Sequence, residues 1–267
     1  VNPLAVIRER RELLVNLTKR ELKIRYRGSV LGFLWTILIP LFMALIYVGF
    51  LRLMAGRGVP LAEIIIGVFA WQFTVQCVNS GLHSITGNVN LVKKVFVPRF
   101  ILPLSATLAN TVNYLLSLLV QFPLVAVLLW REGAVLSPWS LALPAVLLLH
   151  LVFNFGLALL MAALNVHFRD TEHLVGVGLS AWFFASPVMY NLAFVERMTP
   201  DLPWLMDAYL LNPLAVIVTA YRAAILPDVS LPAGHPVALL AVVFCPLLLL
   251  GAYRLFQRLQ RTFADLL

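Results

Sequence analysis

Between Lys19 and Pro40 the chain reads KRELKIRYRGSVLGFLWTILIP: the cations Lys19, Arg20, Lys23, Arg25 and Arg27 give way, across Gly28 and Ser29, to an apolar run reaching about Leu51. So abrupt a junction marks a membrane surface. Cytoplasmic flanks of transmembrane helices are enriched in Lys and Arg, so the boundary puts residues 1–28 inside and begins the first span at Ser29. Every later orientation follows from it.

The rest of the chain agrees with a membrane setting. Hydrophobic residues make up 61% of the sequence and the mean hydropathy is +0.93, more apolar surface than a soluble core of this length could enclose. The expected fold is all-α, a polytopic helical membrane protein. The net charge of +8 does not point to nucleic acid, because the cations sit beside apolar runs rather than on a basic face interleaved with stacking aromatics. Anionic lipid headgroups are the partner such cations suit. Cys77 and Cys245 each lie inside an apolar run and imply neither a disulfide nor a metal framework. Residues before the first span lack a short apolar region with a small-residue cleavage site, so that span is itself the expected insertion signal.

In chain order, residues 4–27 read as an amphipathic helix lying along the inner membrane surface. Val6, Ile7, Leu13, Leu14, Leu17 and Ile24 fall on one side and most charges elsewhere, with Arg10, Glu21 and Arg25 interrupting the stripe. The first span carries Pro40 where a kink is expected. A second span of about 23 residues starts near Pro60. Its inner half is polar (Gln72, Thr74, Gln76, Asn79, Ser80, His83), which suits either hydrogen bonds between helices or a hydrated path. The third span, from about Ile101 to Trp130, has a second polar side that includes Asn113 and Tyr114. The fourth runs from Trp139 to about Val166 and the fifth, short and glycine-rich, from Leu174 to about Tyr190.

Two inner loops stand out. Thr86 to Phe100, TGNVNLVKKVFVPRF, opens with turn residues and then offers a short helix in which Lys93, Lys94 and Arg99 surround Val95, Phe96 and Val97. A topology signal needs the cations but not the Phe; an apolar knob on a short cytoplasmic helix suits docking into another protein. His167 to His173, HFRDTEH, supplies two His but no third ligand at a metal spacing, and reads as a solvated, ion-paired loop.

The stretch 191–234 is apolar around Leu205 to Leu226 yet contains Asp207, Asn212, Pro213 and Arg222. Were it to cross, Arg254, Arg258 and Arg261 would lie outside, so it reads as a re-entrant hairpin dipping from the outer face. A sixth span from about Pro236 then returns the chain inside. On this topology the cations before Ser29, with Lys93, Lys94, Arg99, Arg169, Arg254, Arg258 and Arg261, are internal; only Arg52, Arg57, Arg131, Arg197 and Arg222 are external. The domains are then a cytoplasmic helix (1–28), a six-span domain (29–257) and a cytoplasmic tail (258–267).

No G-x-x-x-x-G-K-[ST] loop occurs, so the chain cannot bind ATP through a P-loop. No span holds the paired carboxylates of a proton-coupled carrier; Glu63, the only acid in a span, lies near its outer end. Energy for active transport would have to come from a partner.

The segments RELKIRYRGSVLGFLWTILIPL, LVKKVFVPRFILPL, NVHFRDTEHL, FFASPVMY and LNPLAVIVTAYR, in this order, resemble the permeases of ABC-type polysaccharide exporters, which move O-antigen, capsule and teichoic-acid chains. The resemblance covers nearly the whole chain. It implies a homodimer in the bacterial cytoplasmic (inner) membrane, both termini cytoplasmic, bound to two ATPase subunits that hold the ATP and Mg; this chain itself needs no cofactor and is not an enzyme. It further implies that the helix around Asn90 to Pro98 couples to the ATPase, that His167 to His173, with Arg169 and Asp170, is a second contact, and that Glu196 to Arg222 is an outer gate. Tyr47, Trp71, Phe73, Tyr114, Phe183 and Tyr190, with Gln72, Gln76 and Asn113, become candidates for a sugar path, since rings stack on the C–H faces of sugars. The alternatives are a drug or small-lipid exporter of the same superfamily, or a membrane enzyme acting on lipid-linked sugars. The enzyme would need acids or His converging near the interface, whereas Asp201, Asp207 and Asp228 are scattered.

The topology is testable by labelling from outside, with Ser230 or Arg261 changed to Cys in a background lacking Cys77 and Cys245. We expect labelling at position 230 and none at 261; the reverse pattern would overturn the six-span arrangement.

Overall fold

The computed structural model describes residues 3–55, 60–94, 98–198, 203–230 and 236–267, and every regular element among them is helical. The amphipathic segment is two helices, α1 (Pro3–Glu9) and α2 (Arg11–Tyr26), parted at Arg10. Gly28 and Gly32 then take positive φ (76° and 47°), a conformation glycine adopts without a Cβ penalty, and the Gly32 N–H donates to Ser29 Oγ at 3.0 Å. This turn delays α3 to Leu34–Ala55, five residues beyond the expected start of the span. Helix α3 continues through Pro40, and its apolar part within the described residues is Leu34–Phe50.

Helix α4 (Leu61–His83) matches the second span, and a 3-10 turn (Thr86–Asn88) leads into the short α5 (Val89–Lys94). Helix α6 (Ile101–Arg131) runs unbroken past Pro123. Another 3-10 turn (Pro138–Ala142), its N-terminus capped by Ser137 Oγ, precedes α7 (Leu143–His167). Helix α8 (Thr171–Phe184) is 14 residues, shorter than the expected fifth span, because the chain turns at Ala185 and Ser186. The outer stretch folds as α9 (Leu192–Met198), α10 (Pro203–Leu210) and α11 (Pro213–Ile225), with an 85° bend between α10 and α11. Helix α12 (Pro236–Leu259) is followed by a 3-10 turn (Gln260–Thr262) and α13 (Phe263–Leu266).

By length and composition four described stretches can cross a membrane: Leu61–His83, Ile101–Arg131, Pro138–His167 and Pro236–Leu266; the bent α10–α11 pair would make a fifth. Helix α4 is their centre. Of its apolar window 78% is buried, against at most 39% for the other three, so α4 carries the core while its neighbours turn apolar faces outward. It packs on α6, α7, α3 and α11, and α12 covers the far side of α7.

The interior holds two large apolar clusters, with a small third one of Leu210, Val216, Ala238 and Ala241. One cluster joins α4, the outer halves of α6 and α7, and α11; the other, toward the basic end, joins Leu14 and Leu17 of α2 to Val92, Phe100, Ile101, Val166 and Phe256. The amphipathic helix is therefore integrated into the bundle through Leu14 and Leu17.

Close approach of α4 and α7 depends on Gly81. A Cβ there would lie 2.6 Å from Ala158 Cα and 2.7 Å from its Cβ, and backbone cannot yield as a long side chain can. Gly81→Ala should destabilise the bundle by about 1–3 kcal/mol, read as a lowered thermal midpoint in detergent, whereas Gly87→Ala, with nothing within 4 Å, should change it little.

Candidate functional site

At the end of the bundle away from the basic segment a single cation organises the surrounding backbone. All thirteen residues of α11 are buried, and Arg222, 1% exposed, reaches from it toward α4. Its Nε donates to the Glu63 carbonyl (3.0 Å), Nη1 to the Tyr190 carbonyl (2.8 Å) and Nη2 to the Val188 carbonyl (3.1 Å). The Glu63 carboxylate lies 3.9 Å from Nε and accepts from Asn191 Nδ2 at 3.2 Å. Gly67 makes room for the clamp: a Cβ there would stand 2.8 Å from Arg222 Nη2 and 2.5 Å from the Val188 carbonyl. The sequence places Arg222 among the outer cations; among the described residues of that group it is the buried one.

Asn212 plays a matching part at the 85° bend. Its Oδ1 caps α11 by accepting from Leu214 N–H (3.1 Å) and also accepts from Trp182 Nε1 (3.0 Å), while Nδ2 donates to the Ala185 carbonyl and Ser186 Oγ, each at 2.9 Å. The end of α8, the following turn and the start of α11 thus share one side chain.

The aromatic path candidates fall into three groups. Tyr47, Trp71 and Phe183 meet with Trp182, Phe183 being 5.4 Å from Tyr47 and 5.6 Å from Trp71 between ring centroids. Phe73 and Tyr114 stack at 4.5 Å in a separate, fully internal cluster with His150 and Tyr221; Thr74 Oγ1 is 2.8 Å from His150 Nε2. Tyr190 stands apart, accepting a hydrogen bond from Tyr209 at 3.0 Å and donating to the Phe184 carbonyl at 2.6 Å. Tyr47, Gln72, Gln76, Phe183 and Tyr190 are half-buried, whereas Trp71, Phe73, Asn113 and Tyr114 are buried within the protomer.

Gln76 and Asn113 are engaged by the helix from the basic segment. Arg25 Nη1 donates to Gln76 Oε1 (3.1 Å), and Tyr26 OH donates to Asn113 Oδ1 (2.9 Å) while accepting from Thr36 Oγ1 (2.8 Å). Between this end of α2 and α3 opens a cavity of about 260 Å³ lined by Arg25, Tyr26, Trp35, Thr36, Pro40 and Gln76. A larger groove of about 520 Å³, almost wholly apolar, separates α8 from α4 and α7.

At the basic end, Lys93 is exposed on α5, and Arg169 and Asp170 are exposed in the turn between α7 and α8. The side chain of Lys94 and residues Val95 and Phe96 lie outside the described residues. Arg20 Nη2 donates to Asn88 Oδ1 at 2.5 Å, holding the start of the 86–100 loop against α2, and Asn165 Nδ2 donates to the Leu82 carbonyl at 2.9 Å, holding the ends of α4 and α7 together. Among the described residues no group of three metal-ligating side chains occurs.

Sequence reasoning missed the Arg222 clamp, the Asn212 node and the roles of Arg20, Arg25 and Tyr26. The one usable signal is that Glu63 and Arg222 are opposite charges within otherwise apolar segments, which invites pairing, although Asp207 offers a second acid in the same stretch as Arg222.

The family model described as ABC-2 type transporter matches residues 12–226. An O-antigen export system permease protein RfbA from Myxococcus xanthus is 37% identical over 258 residues, covering 96% of this chain and 95% of that protein. A protein of the same name from Klebsiella pneumoniae is 30% identical over 79% of each chain. The polysialic acid transport protein KpsM of Escherichia coli is 24% identical over 78% of this chain and 79% of its own length.

The clamp makes an ordered set of expectations. Arg222→Leu removes the side-chain donor to the Glu63, Val188 and Tyr190 carbonyls and leaves the Glu63 carboxylate, still bonded to Asn191, without its facing charge, and should cost about 3–5 kcal/mol. Arg222→Lys, which cannot fan out to three acceptors, should recover only part. Glu63→Gln, which leaves the carbonyl bonds intact, should cost about 1 kcal/mol. Thermal unfolding in detergent checks the order; equal losses for Glu63→Gln and Arg222→Leu would show that the ion pair and not the carbonyl cage is what matters.

Proposed function

We propose, from the premise that this chain belongs to the ABC-2 type transporter family, that it is the transmembrane permease subunit of an ATP-driven exporter moving lipid-linked polysaccharide across the bacterial inner membrane. What carries the reading is alignment along nearly the full chain with permeases named for O-antigen export, in a protein without a P-loop of its own. A separate cytoplasmic ATPase then binds the ATP and Mg, and the working unit is a homodimer with two such subunits.

In this reading the chain crosses six times, through α3, α4, α6, α7, α8 and α12, with both termini cytoplasmic; α1–α2 lie at the inner surface and α9–α11 form a re-entrant outer hairpin. The short α8 crosses only together with the turn beyond Phe184, where Arg222 and Asn212 supply hydrogen-bond partners that lipid lacks. Helices α3 and α8 suit the boundary of the conduit. They are the least enclosed of the six, α8 burying only Thr171, and between them they carry Tyr47 and Phe183, two of the accessible aromatic candidates.

Of the path candidates, Tyr47, Gln72, Gln76, Phe183 and Tyr190 have surface to offer a glycan, while Trp71, Phe73, Asn113 and Tyr114 support them from behind. A ring can stack on the C–H face of a sugar, and an amide can exchange hydrogen bonds with hydroxyls, so chains can slide without tight selection. The outer gate is confined to α9 and α10, since α11 is buried on all sides.

Coupling rests on the 86–100 loop and the 167–173 turn. Val95 and Phe96 offer an apolar anchor, with Lys93, Lys94, Arg169 and Asp170 as its charged surroundings. Phe96→Ala should cost about 2 kcal/mol or more of docking energy, leaving a permease that inserts but loses its ATPase or transports no glycan. Lys93→Ala should matter less, because an exposed rim charge stays hydrated and screened. Co-purification with the ATPase and an export assay decide the point; undiminished binding and export in Phe96→Ala would remove this loop from coupling.

A further inference from the structure

The segment 260–267 enters the sequence reading only through Arg261, as a topology signal, but it folds back onto the bundle. Phe263 is fully buried, edge-on to Phe256 (5.4 Å) and near His167 (5.8 Å), in the apolar cluster that holds Val92, Phe100, Ile101 and Val166. From the end of the 86–100 loop, Arg99 Nη1 donates to the Gln260 carbonyl, and its guanidinium carbon stands 6.0 Å from the Phe263 ring centroid. From the start of the 167–173 turn, His167 Nε2 is 3.1 Å from Thr262 Oγ1. Helix α13 packs on both α5 and α7. One short segment therefore holds both elements assigned to face the ATPase.

That link matters because α5 cannot hold itself. It has six residues, and an isolated helix of that length does not pay back its nucleation in water, so its position is set by what it is packed against. On one side Arg20 fixes Asn88 at the loop start. On the other, Arg99 and the Phe263 cluster fix the loop end. Without the second hold, a push on α5 would be absorbed by the loop and not shared with α7 and α8.

We propose that residues 260–267 are a brace that fixes α5 relative to the 167–173 turn, with Phe263 as its positioning residue, so that an ATPase engaging either element moves both. The proposal rests on the docking reading given above.

Spin labels at Asn90→Cys and Arg169→Cys, both exposed, in a chain lacking Cys77 and Cys245, report the spacing directly. We expect one narrow distance distribution in the parent, a broad one in Phe263→Ala, and a narrow one again in Phe263→Leu, which refills the apolar site. In the unlabelled full complex, Phe263→Ala should lower export about tenfold at equal membrane content, with Phe263→Leu largely restoring it. Arg99→Met, which keeps apolar bulk but removes the hydrogen bond and cation, should broaden the distribution too, and stands in if Phe263→Ala fails to insert. A distribution as narrow as the parent's in both Phe263→Ala and Arg99→Met overturns the brace. Broad distributions with undiminished export overturn its coupling role. If export survives Phe263→Ala while Phe96→Ala abolishes it, docking stands and the brace falls; if both leave export intact, the docking reading has failed.

Discussion

The end of the bundle away from the basic segment depends on the guanidinium of Arg222 meeting three carbonyl oxygens from two separate stretches, the start of α4 and the turn after α8. Non-helical backbone at membrane depth is tolerable only where protein covers it and supplies partners. On the six-span reading the turn after α8 is such backbone: the Val188 and Tyr190 carbonyls point at α11, and a planar five-donor group is the one side chain able to serve both and the Glu63 carbonyl together. The carboxylate of Glu63, at 3.9 Å, offsets the charge without meeting it closely. Gly67 is required for the same reason, since its missing side chain is where the Val188 carbonyl and Nη2 sit. Three separated stretches, the start of α4, the turn at 186–191 and α11, thus behave as one body.

At the other end of the bundle the cations serve two purposes at once. As a topology signal, on the orientation proposed above, they need only their charge and their side of the membrane. Several also fix geometry, which needs a particular partner: Arg20 with Asn88, Arg25 with Gln76, Arg99 with Gln260. Exposed pairs there contribute little, as with His83 and Glu172 at 3.9 Å, both more than half exposed. The buried apolar residues that accompany them, Leu14, Leu17, Val92 and Phe263, supply the larger share of the hold.

Hydropathy and punctuation made the long helices legible. The start of α4 after Pro60, the start of α6 at Ile101 and the end of α7 near Val166 all fall within a residue or two of where apolar runs meet turn residues or cations. The helix-breaking role of Gly28 and Gly32 was half visible: glycine at the junction is plain in the sequence, but the delay of α3 to Leu34 depends on both taking positive φ. The candidate site was legible as composition and not as arrangement. Polar residues at Gln76 and Asn113 announce a partner, yet that Arg25 and Tyr26 are those partners follows from how α2 lies on α6, a contact spanning residues far apart in sequence. The partners of Arg222 were not legible because charge counting assigns a cation only a side, whereas a cation in a wholly buried helix must find specific acceptors.

These constraints also decide which parts can move. Helix α8 is tied firmly at its outer end, where Trp182 and the Ala185 and Ser186 groups converge on Asn212, and Asn212 in turn caps a helix that Arg222 anchors. At its inner end α8 has the exposed His83–Glu172 pair, the buried Thr171 and an apolar groove of about 520 Å³ between it and its neighbours. A helix of 14 residues is about 21 Å long. One end is thus held by a converging set of hydrogen bonds and the other by fewer contacts. On the docking reading proposed above, a subunit on the 167–173 turn would meet the less firmly held end of α8, while Phe183, with Tyr47 and Trp71 beside it, lies toward the tied end.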